Sequence, residues 1–323
     1  MMQNVIGFSR ALSVKAVLAG RKSSTIYVAT VLFFLLQLVL PLVVDEWTLR
    51  IILFANIFVI YAASYDLLAG YTGLVSFGHS LFFGGAGYVS GLLSLNWGLP
   101  LLACVIAALI AALVTALGVG YISLRLKGPY LAVVTLVFPL VLANIVYLSP
   151  RYLGGDDGIA GFDLLGEGSL QTQFYIVLFV TLAATLVILR LARGDFGLIL
   201  KTVREDELGA EAIGINTTKY KMLAFVISGG FAALAGTLYT HIMGSVGPTT
   251  ISLNYSILPI IMMALGGASS IVGAMLGAYV ITLLDLYLQA LPYVRVLIYA
   301  AIIIAVLRFF PSGLIGLFKR IWR

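Results

Sequence analysis

The chain is dominated by apolar stretches that are long enough to cross a membrane as helices, separated by short polar or charged segments. A helix needs about 20 apolar residues to cross the hydrocarbon core of a bilayer. Hydrophobic residues make up 62% and charged residues 10% of the 323 positions, which leaves too few charges to cover a soluble domain. The sequence therefore predicts an all-α, polytopic transmembrane helical bundle, with one domain over residues 1–323. It excludes a soluble enzyme and a nucleic-acid-binding protein.

The apolar stretches predict about ten spans. Their approximate bounds are 25–44, 48–68, 74–95, 99–124, 129–148, 173–192, 222–246, 293–310 and two within 252–289, which divide at 266–270. Ten spans place both termini on one side, together with every Lys and Arg except Arg50, Arg151 and Arg295. By the positive-inside rule this basic side is cytoplasmic. The net charge of +6 then reflects orientation and contact with anionic membrane lipid.

Two predicted spans are interrupted by glycine, one at Gly70 and Gly73 and the other at Gly266 and Gly267. Glycine-interrupted segments at matching places in two halves indicate a substrate path between repeats. Close helix packing through small residues is the alternative explanation. The candidates for the translocation path are Gly73, Ser76, Gly78, His79, Gly266, Gly267 and Asp285.

Three polar residues in or beside the spans have more than one interpretation. His79 either ties two helices together or lines the path. Asp285 is an intramembrane carboxylate, which favours a functional role, but it could also be hydrated near the outer interface or bond a neighbouring helix. Asp66 precedes the break at Gly70, and we expect it at the membrane interface.

No catalytic residue, metal site or cofactor site is predicted. The chain has two histidines and the single cysteine Cys104, and no cluster of Asp, Glu and His in the spans that could hold a metal or relay protons. A membrane-embedded enzyme would need such a cluster. An ion-coupled secondary transporter would need a coupling carboxylate, for which Asp285 is the candidate. A scaffold without transport is a third alternative, and the glycine breaks argue weakly against it.

The charged segment 193–221 predicts a short helix over 201–213. Leu208, Ala212 and Ile213 fall on one face of it, Glu207 and Glu211 point elsewhere, and Gly214 is placed to end it. The segment is either a solvated connector or a docking helix for a soluble partner. The candidate docking residues are Arg204, Glu205, Asp206, Glu207, Leu208, Glu211, Ala212 and Gly214.

Several motifs along the chain match one family in combination. They are the runs at 70–79, 128–136, 154–159, 207–216, 221–228, 235–239, 265–278 and 310–316. Together they resemble the membrane permease subunits of high-affinity branched-chain amino acid ABC importers, specifically the second, methionine-lettered subunit type. The resemblance implies an ABC importer permease fold with a possible internal repeat. It also implies a bacterial plasma (inner) membrane location with both termini in the cytoplasm.

The same resemblance implies the partners and the mechanism. The partners would be a sister permease, usually in a heterodimer, two cytoplasmic ATPase subunits and an extracytoplasmic solute-binding protein. The coupling helix would map to 204–214, and the partner ATPases would use ATP while this chain binds no cofactor. Alternating access would then move branched-chain or related hydrophobic amino acids inwards.

Two features of the sequence leave alternatives open, and one of them, at Val75, departs from the family. Asp156 and Asp157 lie in an outer loop that would either meet the binding protein or stay solvated. Val75 stands where the family usually carries Gln, which keeps urea, amides or another small polar solute as alternative substrates.

Overall fold

Helices form most of the part of the chain that the computed structural model describes, which is residues 26–126, 128–165, 169–288 and fragments of 297–316. The helices are α1 Ile26–Val43, α2 Glu46–Tyr65, α3 His79–Trp97, α4 Leu101–Ser123, α5 Pro129–Tyr147, α6 Pro150–Leu153, α7 Leu170–Arg193, α8 Asp195–Glu205, α9 Glu207–Ala212, α10 Thr217–Met243, α11 Leu253–Gly266 and α12 Ile271–Leu288. A π-helical turn, Asp66–Gly70, continues α2, and a 3-10 turn, Pro248–Ile251, precedes α11. Most of the predicted tenth span and the basic residues of both termini lie outside the described residues.

The helix ends follow from local sequence signals. The side chain of Asp45 accepts a hydrogen bond from the Thr48 amide at 3.1 Å and so caps the start of α2. A second bond, from the Thr48 hydroxyl, is the main cause that lowers the pKa of Asp45 below its usual value. Gly98 and Gly244 end α3 and α10 in the left-handed conformation, which a side chain rarely adopts.

The core is formed around α2, α3 and α10: α10 packs against both α2 and α3, and aromatic rings of α2 and α3 meet, as Tyr61 and Phe83 do at 4.8 Å between centroids. α2 is apolar on all sides and mostly buried, as expected of a helix surrounded by other helices. α10 and α3 approach closely because Gly236 lies on the α3 backbone: a Cβ there would come 1.9 Å from the Phe83 carbonyl oxygen. This central group gives the bundle its fixed framework.

Within the described residues, six helices are long and apolar enough to cross a membrane, or seven if the bent pair of α11 and α12 counts as one span. The pair bends by 117° at a short break, so the predicted division near 266–270 is confirmed. The count of about ten spans is not. α3 falls outside the six because its His, Asn, serines and glycines make it less apolar, although most of the helix is buried.

The ends of the bundle are sorted into two groups. Gly70, Arg204 and Ser269 meet at one end. At the other end the strands β1 Ile159–Ala160 and β2 Ser245–Val246 pair antiparallel. The predicted topology likewise places the segments near 70, 204 and 269 on one side of the membrane and those near 159 and 245 on the other. The end with Arg204 is called the coupling end below, and the end with the strands is called the strand end.

The outward faces of α1, α4 and α5 are apolar and exposed. Leu102, Ile110 and Val114 of α4, for example, are each more than half exposed. A surface of this kind is unstable in water and requires lipid or another apolar protein surface. The chain is therefore a multi-pass membrane protein.

Candidate functional site

The break after α2 is a tight, glycine-dependent turn. A Cβ on Gly70 would lie 1.9 Å from the Asp66 Oδ1 atom and 2.7 Å from the Ser269 amide nitrogen. Gly73 adopts φ +77°, a conformation that favours glycine. Both glycines are required by the backbone here, so the structure supports the packing interpretation at this break.

Asp66 is fully buried within the protein, and its position at the membrane interface stays a prediction. Its Oδ1 atom accepts a hydrogen bond from the Ser269 amide at 2.8 Å. The whole π-helical turn, Asp66–Gly70, is buried, so the carboxylate faces protein and not solvent. The carboxylate thus ties the break after α2 to the break between α11 and α12.

The sequence predicted that residues 74–78 form the first turn of a span. In the structure they form an irregular connector. α3 begins only at His79, because Ser76 and Gly78 form a local turn in which the Gly78 amide donates to the Ser76 hydroxyl at 3.1 Å. Thr135 of α5 accepts a further bond from the Phe77 amide at 3.1 Å. The connector is therefore held from two sides.

His79 is fully buried at the start of α3. Its Nε2 atom lies 3.0 Å from the Ser228 hydroxyl of α10 and 3.5 Å from the Ser64 hydroxyl of α2. Ser228 also donates to the Ser64 carbonyl oxygen at 2.5 Å. These contacts join three helices, as the tie interpretation predicted, while a path-lining role of His79 stays a prediction.

The break between α11 and α12 is the tightest backbone approach of the site. A Cβ on Gly266 would lie 1.9 Å from the Gly273 carbonyl oxygen, and a Cβ on Gly277 would lie 1.9 Å from that of Met262. Gly267 has φ +110° and Ser269 has φ +60°. Small residues here allow two helix backbones to touch, so both predicted glycine breaks have a packing role.

Arg204 joins the two breaks. Its Nη1 atom donates to the Gly70 carbonyl oxygen at 2.6 Å and to the Ser269 hydroxyl at 2.5 Å. The Ser269 hydroxyl in turn donates to the same Gly70 oxygen at 2.6 Å. The Arg204 Cγ atom also packs over Gly73, 3.2 Å from the position a Cβ would take.

The predicted helix over 201–213 is divided into α8 and α9 at Asp206. Asp206 is extended and its side chain accepts from the Gly209 amide at 2.9 Å, because an aspartate caps a new helix better than it continues an old one. Gly214 follows α9 with φ +86°, which confirms that it ends this helix. Arg204 and Glu205 consequently belong to α8, and Leu208 belongs to α9.

α9 presents an unpartnered apolar face. Leu208 is 74% and Ile213 is 73% exposed, and Ala212 lies exposed beside them. On another face, Glu207 forms a salt bridge with Lys221 at 2.5 Å, and Glu211 accepts from the Thr217 hydroxyl at 2.7 Å. The two glutamates therefore fix α9 to the start of α10, and the apolar face stays free.

The other predicted residues make no contact with the Arg204 group in the structure described above. Asp156 and Asp157 are exposed in the turn that precedes β1 at the strand end. Asp285 is half-buried in α12, and Val75 is exposed in the connector before α3. The described residues contain no group of three or more His, Cys, Asp and Glu that could hold a metal.

Two of the cavities among the described residues lie beside the helices discussed above. One of about 310 Å³ lies between α3, α4 and α5 and has an almost entirely apolar lining that includes Leu81, Ala108 and Leu142. The other, of about 640 Å³, opens at the coupling end beside Lys201 and Ser270. The first suits an aliphatic group, and the second offers polar and cationic contacts.

These features define a class of protein: an all-helical, multi-pass membrane protein with broken helices at its centre and a charged helix pair with an exposed apolar face at one end. The family described as branched-chain amino acid transport system / permease component matches residues 47–307. The chain belongs to that family. It is therefore a non-catalytic pore subunit, and it works in a transporter complex with a partner permease and an ATPase.

Individual relatives agree with the family. The chain is 27% identical over 304 residues to the high-affinity branched-chain amino acid transport system permease protein LivM of Escherichia coli (strain K12), covering 85% of this chain and 71% of that protein. It is 32% identical over 152 residues to the LivH permease protein of the same system and strain, covering 46% and 48%. A solved structure, PsaBC from Streptococcus pneumoniae in complex with Fab, aligns with 18% identity and a TM-score of 0.45 over 87% of this chain and 97% of that chain.

Proposed function

We propose that this chain forms part of the pore of an ATP-binding cassette importer that moves branched-chain or related hydrophobic amino acids into the cytoplasm. The observation that carries the proposal is the exposed apolar face of α9, anchored to α10 by Glu207 and Glu211, in a chain of the branched-chain amino acid permease family. The apolar cavity between α3, α4 and α5 supports an aliphatic substrate.

The partners follow from the exposed surfaces. α9 docks one of two cytoplasmic ATPase subunits, so the coupling end and both termini face the cytoplasm of a bacterial inner membrane. The outward apolar faces of the bundle meet lipid and a sister permease in a heterodimer. Asp156 and Asp157 at the strand end contact the extracytoplasmic solute-binding protein, and acidic residues there favour a basic face on it. ATP is bound and hydrolysed by the ATPases alone.

The substrate is tested by transport. The complex, assembled with the subunits encoded beside it, is reconstituted into proteoliposomes, and uptake of labelled leucine, isoleucine and valine is measured with ATP inside and binding protein outside. We expect uptake of each labelled amino acid, and we expect the other two amino acids, but not urea, to inhibit that uptake by competition. Competition by urea, or uptake of urea in place of leucine, would refute the substrate assignment and leave the fold and family unaffected.

The docking face is tested by charge. Leu208→Asp with Ile213→Asp places two carboxylates on the exposed face without touching the Glu207–Lys221 bridge. We expect ATPase binding to weaken by at least about tenfold, since central apolar contacts dominate such interfaces. Thr218→Asp, which adds a charge at an exposed site outside that face, is the control. Equal binding by both variants would show that α9 is a solvated connector.

A further inference from the structure

The cytoplasmic docking helix and the two broken spans are connected through one side chain. Arg204 occupies the last turn of α8, three residues before α9 begins. Its Nη1 atom donates both to the Gly70 carbonyl oxygen, at 2.6 Å, and to the Ser269 hydroxyl, at 2.5 Å. A single guanidinium group on α8, the helix that leads into α9, therefore contacts both breaks.

The contact closes into a ring of hydrogen bonds. The Ser269 hydroxyl accepts from Arg204 and donates to the Gly70 carbonyl oxygen at 2.6 Å, so each of the three groups touches the other two. A guanidinium presents several donors in a fixed plane, which an ammonium does not. Both bonds here come from the one atom Nη1, at the tip of a longer side chain than that of lysine, so lysine at position 204 would keep the charge and reach the two oxygens less closely.

Behind the ring lies a buried carboxylate. The Asp66 Oδ1 atom accepts from the Ser269 amide at 2.8 Å, and Asp66 is fully buried. Ser269 is thus held through its amide by the break after α2 and through its hydroxyl by α8. It keeps φ +60°, a conformation that a non-glycine residue retains only where its surroundings impose it.

We infer that Arg204 is a positioning residue that transmits the movement of the docked α9 to the 117° break between α11 and α12. The inference rests on the proposed function and adds to it the route from the ATPase to the spans. Arg204 works inside this chain and makes no contact with ATP or with the transported solute. In this it differs from Leu208 and Ile213, whose exposed side chains form the docking face.

The test separates coupling from docking and from folding. Arg204→Lys, Arg204→Gln and Ser269→Gly are assembled into the complete transporter, and three quantities are measured: ATPase subunit retained, ATP hydrolysed, and amino acid imported per ATP. Ser269→Gly removes the hydroxyl while glycine keeps the positive φ without strain, so it guards against misfolding. Lys219→Gln, an exposed cation near the start of α10, is the control.

We expect all variants to retain the ATPase and the control to match the wild type. Import per ATP falls by about tenfold in Arg204→Gln, because two charge-assisted hydrogen bonds are lost, and by less in the other two. Unchanged import per ATP in Arg204→Gln overturns the inference, as does loss of ATPase subunit in step with loss of import. A wild-type complex that imports no amino acid refutes the proposed function instead, so the two failures are distinguishable.

Discussion

The close contact between α11 and α12 gives the sharpest stability prediction. Gly266→Ala would place a Cβ 1.9 Å from the Gly273 carbonyl oxygen and 2.2 Å from its carbon. Ordinary contact begins near 3.4 Å, so the two helices must separate locally by about 1.5 Å. Both sides of the contact are backbone, and no side-chain rotation can relieve it.

The expected loss of stability can be estimated from known overpacking effects. Inserting a methyl group into a packed interior costs about 1–3 kcal/mol, and a backbone–backbone contact belongs at the upper end of that range. Replacing glycine by alanine within a helix also returns up to about 1 kcal/mol. The net loss of about 2 kcal/mol should lower the melting temperature by about 4 °C or more.

The chain carries its own reporter for this assay. Cys104 is its single cysteine and is buried, so a thiol-reactive dye labels the purified protein only as it unfolds. Gly118→Ala in α4 is the matched control, since a Cβ there meets nothing within 4 Å. A melting temperature of Gly266→Ala equal to or above that of Gly118→Ala would refute the reasoning.

Two further predictions concern the charged helices at the coupling end. Asp206→Ala removes the cap of α9, which costs about 1 kcal/mol, and should speed amide exchange in α9 by roughly fivefold; exchange at the wild-type rate by mass spectrometry would contradict that role. Lys221→Gln breaks the salt bridge to Glu207. The Lys221 side chain is 13% exposed and that of Glu207 is 36% exposed, so we expect a loss of stability of under about 1 kcal/mol. The change in melting temperature should become smaller in high salt. A large loss that salt does not alter would show that the pair is more than a surface ion pair.

Much of the architecture is predictable from the sequence because apolar length and glycine act locally. Residues that are adjacent in the chain predict three of its features: the breaks near Gly70 and Gly266, and the end of α9 at Gly214. The division at Asp206 was missed, although an aspartate three residues before Gly209 is a capping signal. The helix pattern on both sides of it hid the boundary.

The connections between distant segments are not predictable in the same way. Asp66 precedes a break in the sequence, but its burial depends on the contact with Ser269, 203 positions later, which the sequence does not predict. One sequence signal points to this contact. Asp66 and Gly70 are four residues apart and so lie on the same face of a helix, where the absence of a side chain on Gly70 leaves room for the Asp66 carboxylate. No sequence signal predicts the contacts of Arg204, since its partners are a backbone oxygen and a serine that are both far away in the chain.

The helix α10 connects the coupling end of the bundle with the strand end. Its first turns hold α9 through Lys221 and Thr217, and at its far end His241 bonds the Asp163 carbonyl oxygen at 2.7 Å, beside the paired strands. A continuous helix of 27 residues is about 40 Å long and stiff. The loop with Asp163 at the strand end and α9 at the coupling end are thus attached to opposite ends of one helix. Under the proposed function, a binding protein at the strand end and an ATPase at the coupling end would therefore act on the same helix.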